Sequence, residues 1–211
     1  GISDLLKTFG VDILWCEPTA GMKGAIEMAD VLGKEHSWFN TKQFESQANI
    51  KAHYDTTAPE ILQSVSQVDV LVAGIGTGGT LMGTGKRLME HNPKVQLIGV
   101  EPKMGEQLQG LRSLDDGYVP PLLDLDLLSG RFIVDTREAF KSARDCLEKE
   151  GIFVGVSSGA VLNAAQRVAN RMESGTIVVI FADSGWKYLT AGPWKDEMEN
   201  RMLDPDNTAW W

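Results

Sequence analysis

The chain has 211 residues, of which 43% are hydrophobic, and a formal net charge of −9. This length and composition permit a sizeable core, so they predict a folded protein of one or two domains and exclude a disordered chain. The acidic balance argues against a nucleic-acid partner and an anionic membrane surface, because both need clustered Lys and Arg. The sequence has no apolar stretch of roughly 20 residues and no signal-peptide pattern at its start, so we expect a soluble, cytoplasmic protein.

The cysteines and histidines predict neither a disulfide framework nor a metal site. Cys16 and Cys146 lie far apart in sequence and form no CxxC pair. His36, His53 and His91 are scattered without metal-ligand spacing. We therefore expect no bound metal and interpret both cysteines as small core residues.

Strand-like and helical patterns alternate along the chain, which is typical of the α/β class with a parallel sheet covered by helices. The predicted elements, in chain order, are a helix over residues 2–9, a strand over 11–16, a helix over 21–32, a polar loop over 41–50, a helix near 59–65, a strand over 68–73, a helix through Leu88, a strand over 95–100, a long loop over 102–130, a helix over 137–149, a short strand over 152–156, a helix over 158–171 and a strand over 176–181. Loops as long as residues 102–130 are usually functional.

The most informative segment is a Val- and Leu-rich strand that runs into a glycine- and threonine-rich loop, residues 74–80 (GIGTGGT), and then into a helix. Glycines let backbone amides approach an anion without interference from a Cβ atom. The following helix contributes unpaired N–H groups and the positive end of its dipole. The segment therefore predicts a phosphate-binding loop, here called the phosphate cradle (residues 76–80), and leaves the identity of the phosphate ligand open.

The sequence of this loop raises two nucleotide-binding interpretations. Residues 74–79 satisfy GxGxxG after a strand, and Glu101 ends the next strand at about the spacing of a ribose-binding acid, so an NAD-binding module is one interpretation. A Walker A motif is excluded, because Lys86 is followed by Arg87 and not by Ser or Thr. Neither interpretation accounts for a second glycine- and serine-rich cluster at residues 155–160 (GVSSGA).

Three segments together resemble the cysteine synthase family of fold-type II pyridoxal-phosphate enzymes, namely residues 53–60 (HYDTTAPE), 76–80 (GTGGT) and 155–160. The resemblance extends over essentially the whole chain and implies a doubly wound, mostly parallel sheet. It also implies that pyridoxal 5'-phosphate is the cofactor and that its phosphate binds to backbone amides and two hydroxyls of the cradle. The implied phosphate-binding residues are Gly76, Thr77, Gly78, Gly79 and Thr80.

The resemblance further implies that Ser157, at a helix start, hydrogen-bonds the pyridine nitrogen of the cofactor. A neutral hydroxyl does not hold that nitrogen protonated, so the ring is a weaker electron sink and elimination is favoured over wider carbanion chemistry. The alternative for Ser157 is an ordinary helix N-cap.

The chain departs from the family pattern in small and large ways. It has Ser46-Gln47 where the family usually has Asn-Pro, and Ala58 where it usually has Gly. It also lacks the Ser-x-Lys-Asp-Arg segment, whose lysine forms the Schiff base, and the Thr-Ser-Gly-Asn loop, which grips the substrate carboxylate. We therefore expect roughly 100 N-terminal residues to be missing. Residues 1–40 would be a remnant of a small mobile domain and residues 41–211 the large cofactor-binding domain, with no catalytic residue in this chain, which alone is expected to be inactive.

Residues 105–120 (GEQLQGLRSLDDGYVP) and 182–189 (ADSGWKYL) are similar to the branch whose active-site loop carries an arginine, which includes actinobacterial cysteine synthase B enzymes that use O-phosphoserine. By this resemblance Arg112 binds the donor substrate, because its guanidinium offers a fixed fork of donors for a phosphate. The alternative is a surface arginine paired with a neighbouring aspartate. Asp183 is expected to support the site without touching the cofactor.

The resemblance implies a homodimeric enzyme that makes L-cysteine by β-replacement from O-phosphoserine or O-acetylserine. It leaves open whether the sulfur donor is sulfide, thiosulfate or a thiocarboxylated carrier protein. Alternatives within the fold are S-sulfocysteine synthase and a lyase resembling cystathionine β-synthase or threonine synthase. Alternatives of another class are a non-catalytic cofactor-binding fragment and the NAD-binding module.

Overall fold

The computed structural model describes residues 2–106 and 108–191 of the chain. Within these ranges the helices are α1 (Ile2–Thr8), α2 (Gly21–His36), α3 (Gln47–Ala52), α4 (Ala58–Ser64), α5 (Gly79–His91), α6 (Thr136–Glu150) and α7 (Val156–Ala169). The strands are β1 (Val70–Gly74), β2 (Gln96–Pro102), β3 (Gly130–Val134) and β4 (Ile177–Val179). A π-helical turn, His53–Thr57, joins α3 to α4, and short 3-10 turns occur at Pro18–Ala20, Leu114–Asp116, Leu125–Leu127 and Gly185–Ala191.

The strands form one parallel sheet in the order β3-β2-β1-β4. Val70 of β1 pairs with Gln96 of β2 on one side and with Ile177 of β4 on the other. The chain runs outward from β1 through β2 to β3, then returns to add β4 at the opposite side of β1. The strand order therefore reverses between β1 and β4, and this position is the topological switch point of the sheet. Open α/β sheets bind ligands at such a point, beyond the carboxyl ends of the strands.

Helices cover both faces of the sheet, which explains why β1 is continuously apolar in sequence. Val70 and Val72 pack in a cluster that includes Ala160 of α7. Leu71, which alternates with them, packs on the opposite face in a cluster that includes Leu81 of α5. The predicted α/β class and doubly wound parallel sheet are confirmed, and so is the crossover from β1 through α5 to β2.

Two predicted strands are wrong. Residues 11–16 have no regular structure, and Leu14 and Trp15 are 59% and 61% exposed. A strand needs a neighbour for its N–H and C=O groups, and no described strand pairs with this segment. The predicted strand over 152–156 reduces to a single antiparallel bridge between Val154 and Ser184, because α7 already begins at Val156.

Other differences concern elements that the periodicity did not indicate. Strand β3 was missed, although Phe132 and Val134 are buried and Arg131 and Ile133 are exposed in alternation. The predicted polar loop over 41–50 ends in α3, which begins at Gln47. The sequence beyond residue 191, which includes Trp194, Trp210 and Trp211, lies outside the described residues.

The remaining expectations concern cysteines, membranes and metals. Cys146 is a buried core residue as expected, whereas Cys16 is only partly buried, with its Sγ 3.4 Å from Met28 Sδ. In the described part of the chain, the helices are too short or too polar to cross a membrane. The same part contains no group of three or more side chains suited to holding a metal ion.

Candidate functional site

The cradle lies at the carboxyl end of β1, beside the switch point. Gly78 has a φ of 85° and is the N-cap of α5, which carries no side-chain cap. Within the described ranges, the backbone N–H groups of Gly76, Thr77, Gly78 and Thr80 donate to no protein acceptor. Unpaired donors at the positive end of a helix dipole stabilise an anion, so the cradle has the donors that its sequence predicts.

Two glycines of the cradle are closely packed against neighbouring residues. A Cβ atom on Gly76 would lie 3.0 Å from the carbonyl oxygen of Gly110, and one on Gly79 would collide with the Asn49 side chain. The loop that contains Gly110 and the helix that contains Asn49 therefore approach the cradle from two sides. A larger residue at either position would displace one of these neighbours.

Side chains from the α3 region hold the cradle hydroxyls. Thr77 Oγ1 accepts hydrogen bonds from Asn49 Nδ2 at 3.0 Å and from the Gly79 N–H at 3.2 Å. Thr80 Oγ1 lies 3.0 Å from His53 Nε2, and His53 Nδ1 lies 2.9 Å from Thr57 Oγ1. Burial lowers the pKa of His53, which favours its neutral form.

Ser157 lies in the first turn of α7 and is 5% exposed. Its hydroxyl does not act as an N-cap, since the cap residue is Gly155 and the cap has no side-chain hydrogen bond. A Cβ atom on Gly110, which has a φ of 88°, would lie 3.5 Å from Ser157 Oγ, while the Gly110 carbonyl faces Gly76. Gly110 thus lies between Ser157 and Gly76, and the structure brings Ser157 close to the cradle.

Arg112 is attached to the same edge of the sheet through its backbone, because its N–H donates to the Ile75 carbonyl at 2.8 Å. The guanidinium is half-buried, and burial lowers its pKa, while the charge of Asp116 opposes that shift. Arginine stays charged in proteins. Arg112 forms no ion pair with Asp115, Asp116 or any other carboxylate in the described residues, so it is not a surface arginine paired with a neighbouring aspartate.

Asp183 supports the start of α7. Its backbone carbonyl accepts from the Gly155 N–H at 2.9 Å, and its Oδ2 accepts from the Tyr188 hydroxyl at 2.8 Å. Burial raises the pKa of Tyr188, and the hydrogen bond to Asp183 adds to this effect. A carboxylate beside a helix N-terminus is also electrostatically favourable. Asp183 therefore fixes the turn that leads to Ser157.

Glu101, the candidate ribose-binding acid, has a different role. Its side chain is fully buried, and its Oε2 accepts from the Leu114 N–H at 2.6 Å. Arg131 Nη1 lies 3.0 Å from Oε1 as an ion pair, although Oε1 has no partner with hydrogen-bond geometry. The carboxylate thus ties the loop after β2 to β3 and is not free to bind a ribose, so the NAD-binding interpretation loses its acidic residue.

Three contacting residues were not assigned from the sequence. Asn49 fell in a predicted polar loop, and Gly110 lay in a loop whose path no periodicity predicts. His53 was part of a recognised segment, and its spacing of four from Thr57 was the signal that could have suggested a hydrogen-bonded pair on a helical turn.

The comparison with known families gives a direct result. Residues 2–183 match the family described as "Pyridoxal-phosphate dependent enzyme". The chain is 38% identical over 201 residues to a cysteine synthase of Aquifex aeolicus (strain VF5). This alignment covers 92% of this chain and 62% of the relative. It is 35% identical over 197 residues to a cysteine synthase of Staphylococcus aureus (strain Mu50), with coverages of 89% and 64%. The chain therefore spans less than two thirds of the length of these curated relatives.

Solved structures give the same picture. A cysteine synthase of Entamoeba histolytica superposes with a TM-score of 0.82 at 31% identity, covering 92% of this chain and 61% of the other. An O-ureido-L-serine synthase superposes with a TM-score of 0.84 at 30% identity, covering 96% and 68%. The family match includes the cradle, Ser157 and Asp183. The chain accordingly belongs to the pyridoxal-phosphate dependent enzyme family.

Proposed function

We propose that the protein is a pyridoxal-phosphate-dependent cysteine synthase and that its cradle holds the cofactor phosphate. The observation that carries the proposal is that the N–H groups of Gly76, Thr77, Gly78 and Thr80, at a helix N-terminus close to Ser157, have no acceptor within residues 2–106 and 108–191. Such a site suits a phosphate monoester attached to a ring. The family is pyridoxal-phosphate dependent, and the curated relatives named above are cysteine synthases.

Ser157 would face the pyridine nitrogen, with Asp183 and Gly155 holding the helix turn that carries it. When bound, the cofactor supplies an electron sink for chemistry at the substrate α-carbon. The residues of this chain bind and orient it. A hydroxyl at Ser157 accepts or donates a hydrogen bond without adding charge, which favours β-elimination and replacement over other carbanion reactions.

Arg112 would bind the leaving group of the donor substrate. A half-buried cation without a carboxylate partner among the described residues favours an anionic ligand, and the fork of a guanidinium matches a phosphate. This supports O-phosphoserine over O-acetylserine and the arginine-carrying, cysteine synthase B-type branch. S-sulfocysteine synthase is the second candidate on the same observation, since thiosulfate is also an anion. We also propose that the enzyme is a homodimer. Residues 1–40 would belong to its small domain and residues 41–211 to its large cofactor-binding domain.

The test is kinetic and uses the natural full-length protein with sulfide. Arg112→Ala should lower kcat/KM for O-phosphoserine by about 30- to 1000-fold, or about 2 to 4 kcal/mol, because one charge-assisted contact to the phosphate is lost. The loss with O-acetylserine should be far smaller. Arg87→Ala is the matched control, because Arg87 pairs with Glu90 at 2.8 Å on the surface, and it should change neither value.

Two results would contradict the proposal at different levels. Equal losses with both substrates would make Arg112 structural and favour O-acetylserine as donor. A full-length protein that contains pyridoxal phosphate but forms cysteine from neither substrate would remove the cysteine synthase assignment itself.

A further inference from the structure

The hydrogen-bonding state of Thr77 is fixed by its neighbours. Asn49 Nδ2 donates both to the Gln43 carbonyl at 2.8 Å and to Thr77 Oγ1 at 3.0 Å. A carbonyl only accepts, so the amide nitrogen must lie on this side and the orientation of Asn49 is settled. With the Gly79 N–H as second donor at 3.2 Å, both lone pairs of Thr77 Oγ1 are used. The Thr77 hydroxyl hydrogen has no described acceptor and is available to a ligand.

Thr80 depends on the tautomer of His53. The π-helical turn places His53 Nδ1 against Thr57 Oγ1 and His53 Nε2 against Thr80 Oγ1. If Nε2 carries the proton, Thr80 accepts from it and keeps its own hydrogen for a ligand. If Nδ1 carries the proton, Thr80 must donate to Nε2 and presents only lone pairs. A phosphate dianion offers only acceptors, so it is compatible with the first arrangement.

We propose that Asn49 and His53 are positioning residues that turn the Thr77 and Thr80 hydroxyls into donors to the cofactor phosphate. The inference rests on the proposed function, and it extends the site beyond the cradle to α3 and the π-helical turn. Neither residue needs to touch the cofactor. Asn49 donates a hydrogen bond to Thr77 Oγ1, so that this hydroxyl can only donate to a further ligand. His53 has the same effect by donating to Thr80 Oγ1.

Nitrogen-15 NMR of the histidine rings tests the His53 half of the inference. The natural full-length protein, first stripped of its own pyridoxal phosphate, is titrated with pyridoxine 5'-phosphate, which keeps the ring and phosphate but lacks the aldehyde and so cannot link to a lysine. His53→Gln identifies the signal. The bound protein should show neutral His53 with its proton on Nε2. A bound state with the proton on Nδ1 would overturn the inference.

Double-mutant cycles test both halves through the dissociation constant of pyridoxine 5'-phosphate. Thr77→Val should weaken binding by about 10- to 100-fold, because a hydrogen bond to a charged group is lost. Asn49→Ala should weaken it severalfold in the wild type but by less than about twofold in the Thr77→Val background. Likewise, His53→Leu should weaken binding severalfold in the wild type but by less than about twofold in the Thr80→Val background. His53→Gln, whose amide can still donate a hydrogen bond to Thr80, should retain most of the wild-type affinity.

Asn92→Ala is the matched control, because Asn92 Nδ2 donates to the Val68 carbonyl at the opposite end of β1. It should lower Tm without changing phosphate affinity. Effects of Asn49→Ala and His53→Leu that simply add to those of the threonine variants would overturn the inference while leaving the proposed function intact. A wild-type full-length protein that has been stripped of its cofactor and then binds no pyridoxine 5'-phosphate would overturn both.

Discussion

Helices α2 and α7 are similar in length but differ in their surroundings. α2 has 16 residues and none of them is buried, whereas α7 has 14 and buries a face that runs from Val156 to Val168. The same contrast holds for the regions that contain them. In residues 2–40, large apolar side chains such as Trp15 and Phe39 are exposed, Phe39 to 90%. The core clusters of the described chain lie in residues 50–188.

The contrast separates two levels of information in the sequence. The periodicity of apolar residues predicted both helices, because it depends on local geometry. It did not indicate what would cover either apolar face, because burial depends on residues far away in sequence. The cradle lies in the well-packed region, where its hydrogen-bond donors are held by Asn49, Gly110 and α5.

The largest expected difference between the regions concerns leucine truncation. Leu71 is fully buried in β1, so Leu71→Ala should lower the free energy of unfolding by about 2 to 5 kcal/mol through lost burial and a residual cavity. Leu14→Ala removes the same atoms from an exposed side chain. This substitution should change the free energy of unfolding by less than about 0.5 kcal/mol. Urea denaturation of the two variants of the 211-residue chain measures both values, and comparable losses would show that residues 2–40 are packed as tightly as the sheet.

A smaller effect is expected from the buried carboxylate. Glu101→Gln keeps the shape of the side chain but weakens its bonds to the Leu114 N–H and to Arg131, and should cost about 1 to 3 kcal/mol. Glu27→Gln on exposed α2 is the control and should stay within about 0.5 kcal/mol of wild type. Thermal unfolding at neutral pH makes the comparison. An unchanged Tm for Glu101→Gln would mean that this carboxylate does not secure the loop after β2.

The smallest effect concerns helix capping. Asp135 accepts from the Glu138 N–H at 2.8 Å and caps α6, whereas α2 has Ala20 at the corresponding position and no side-chain cap. Asp135→Ala should therefore cost about 1 kcal/mol, and Asp135→Asn, which caps about equally well, should cost much less. Chemical denaturation distinguishes the two. Equal losses would indicate that charge and not capping is what Asp135 contributes.

The sequence predicted the parts of the fold that depend on local pattern. These include the α/β class, the crossover from β1 to β2 and the cradle between β1 and α5. The strand predicted over residues 11–16 failed because pairing is non-local, and no described strand lies beside it. The edge strand β3 was missed because it follows a long irregular loop, and its burial alternates over only five residues.

The candidate site was predictable only in part for the same reason. The glycines and threonines of the cradle are consecutive in sequence, so they form a recognisable motif that indicates phosphate binding. Asn49 and His53 reach the cradle from a separate helix and a π-helical turn, and only the packing of that helix against α5 at Gly83 reveals the contact. Ser157 was identified from its family segment, while its proximity to the cradle depends on the path of Gly110.

The loop after β1 is proposed to bind the phosphate of a pyridoxal cofactor and not a dinucleotide. Equilibrium dialysis of the natural full-length protein, first stripped of any bound cofactor, against pyridoxal 5'-phosphate and against NAD distinguishes the two ligands. The four cradle N–H groups that have no acceptor among the described residues, together with the engagement of Glu101 by Arg131, predict binding of pyridoxal 5'-phosphate and no measurable binding of NAD. Binding of NAD without pyridoxal 5'-phosphate would overturn this proposal and show that the GxGxxG pattern marks a dinucleotide site.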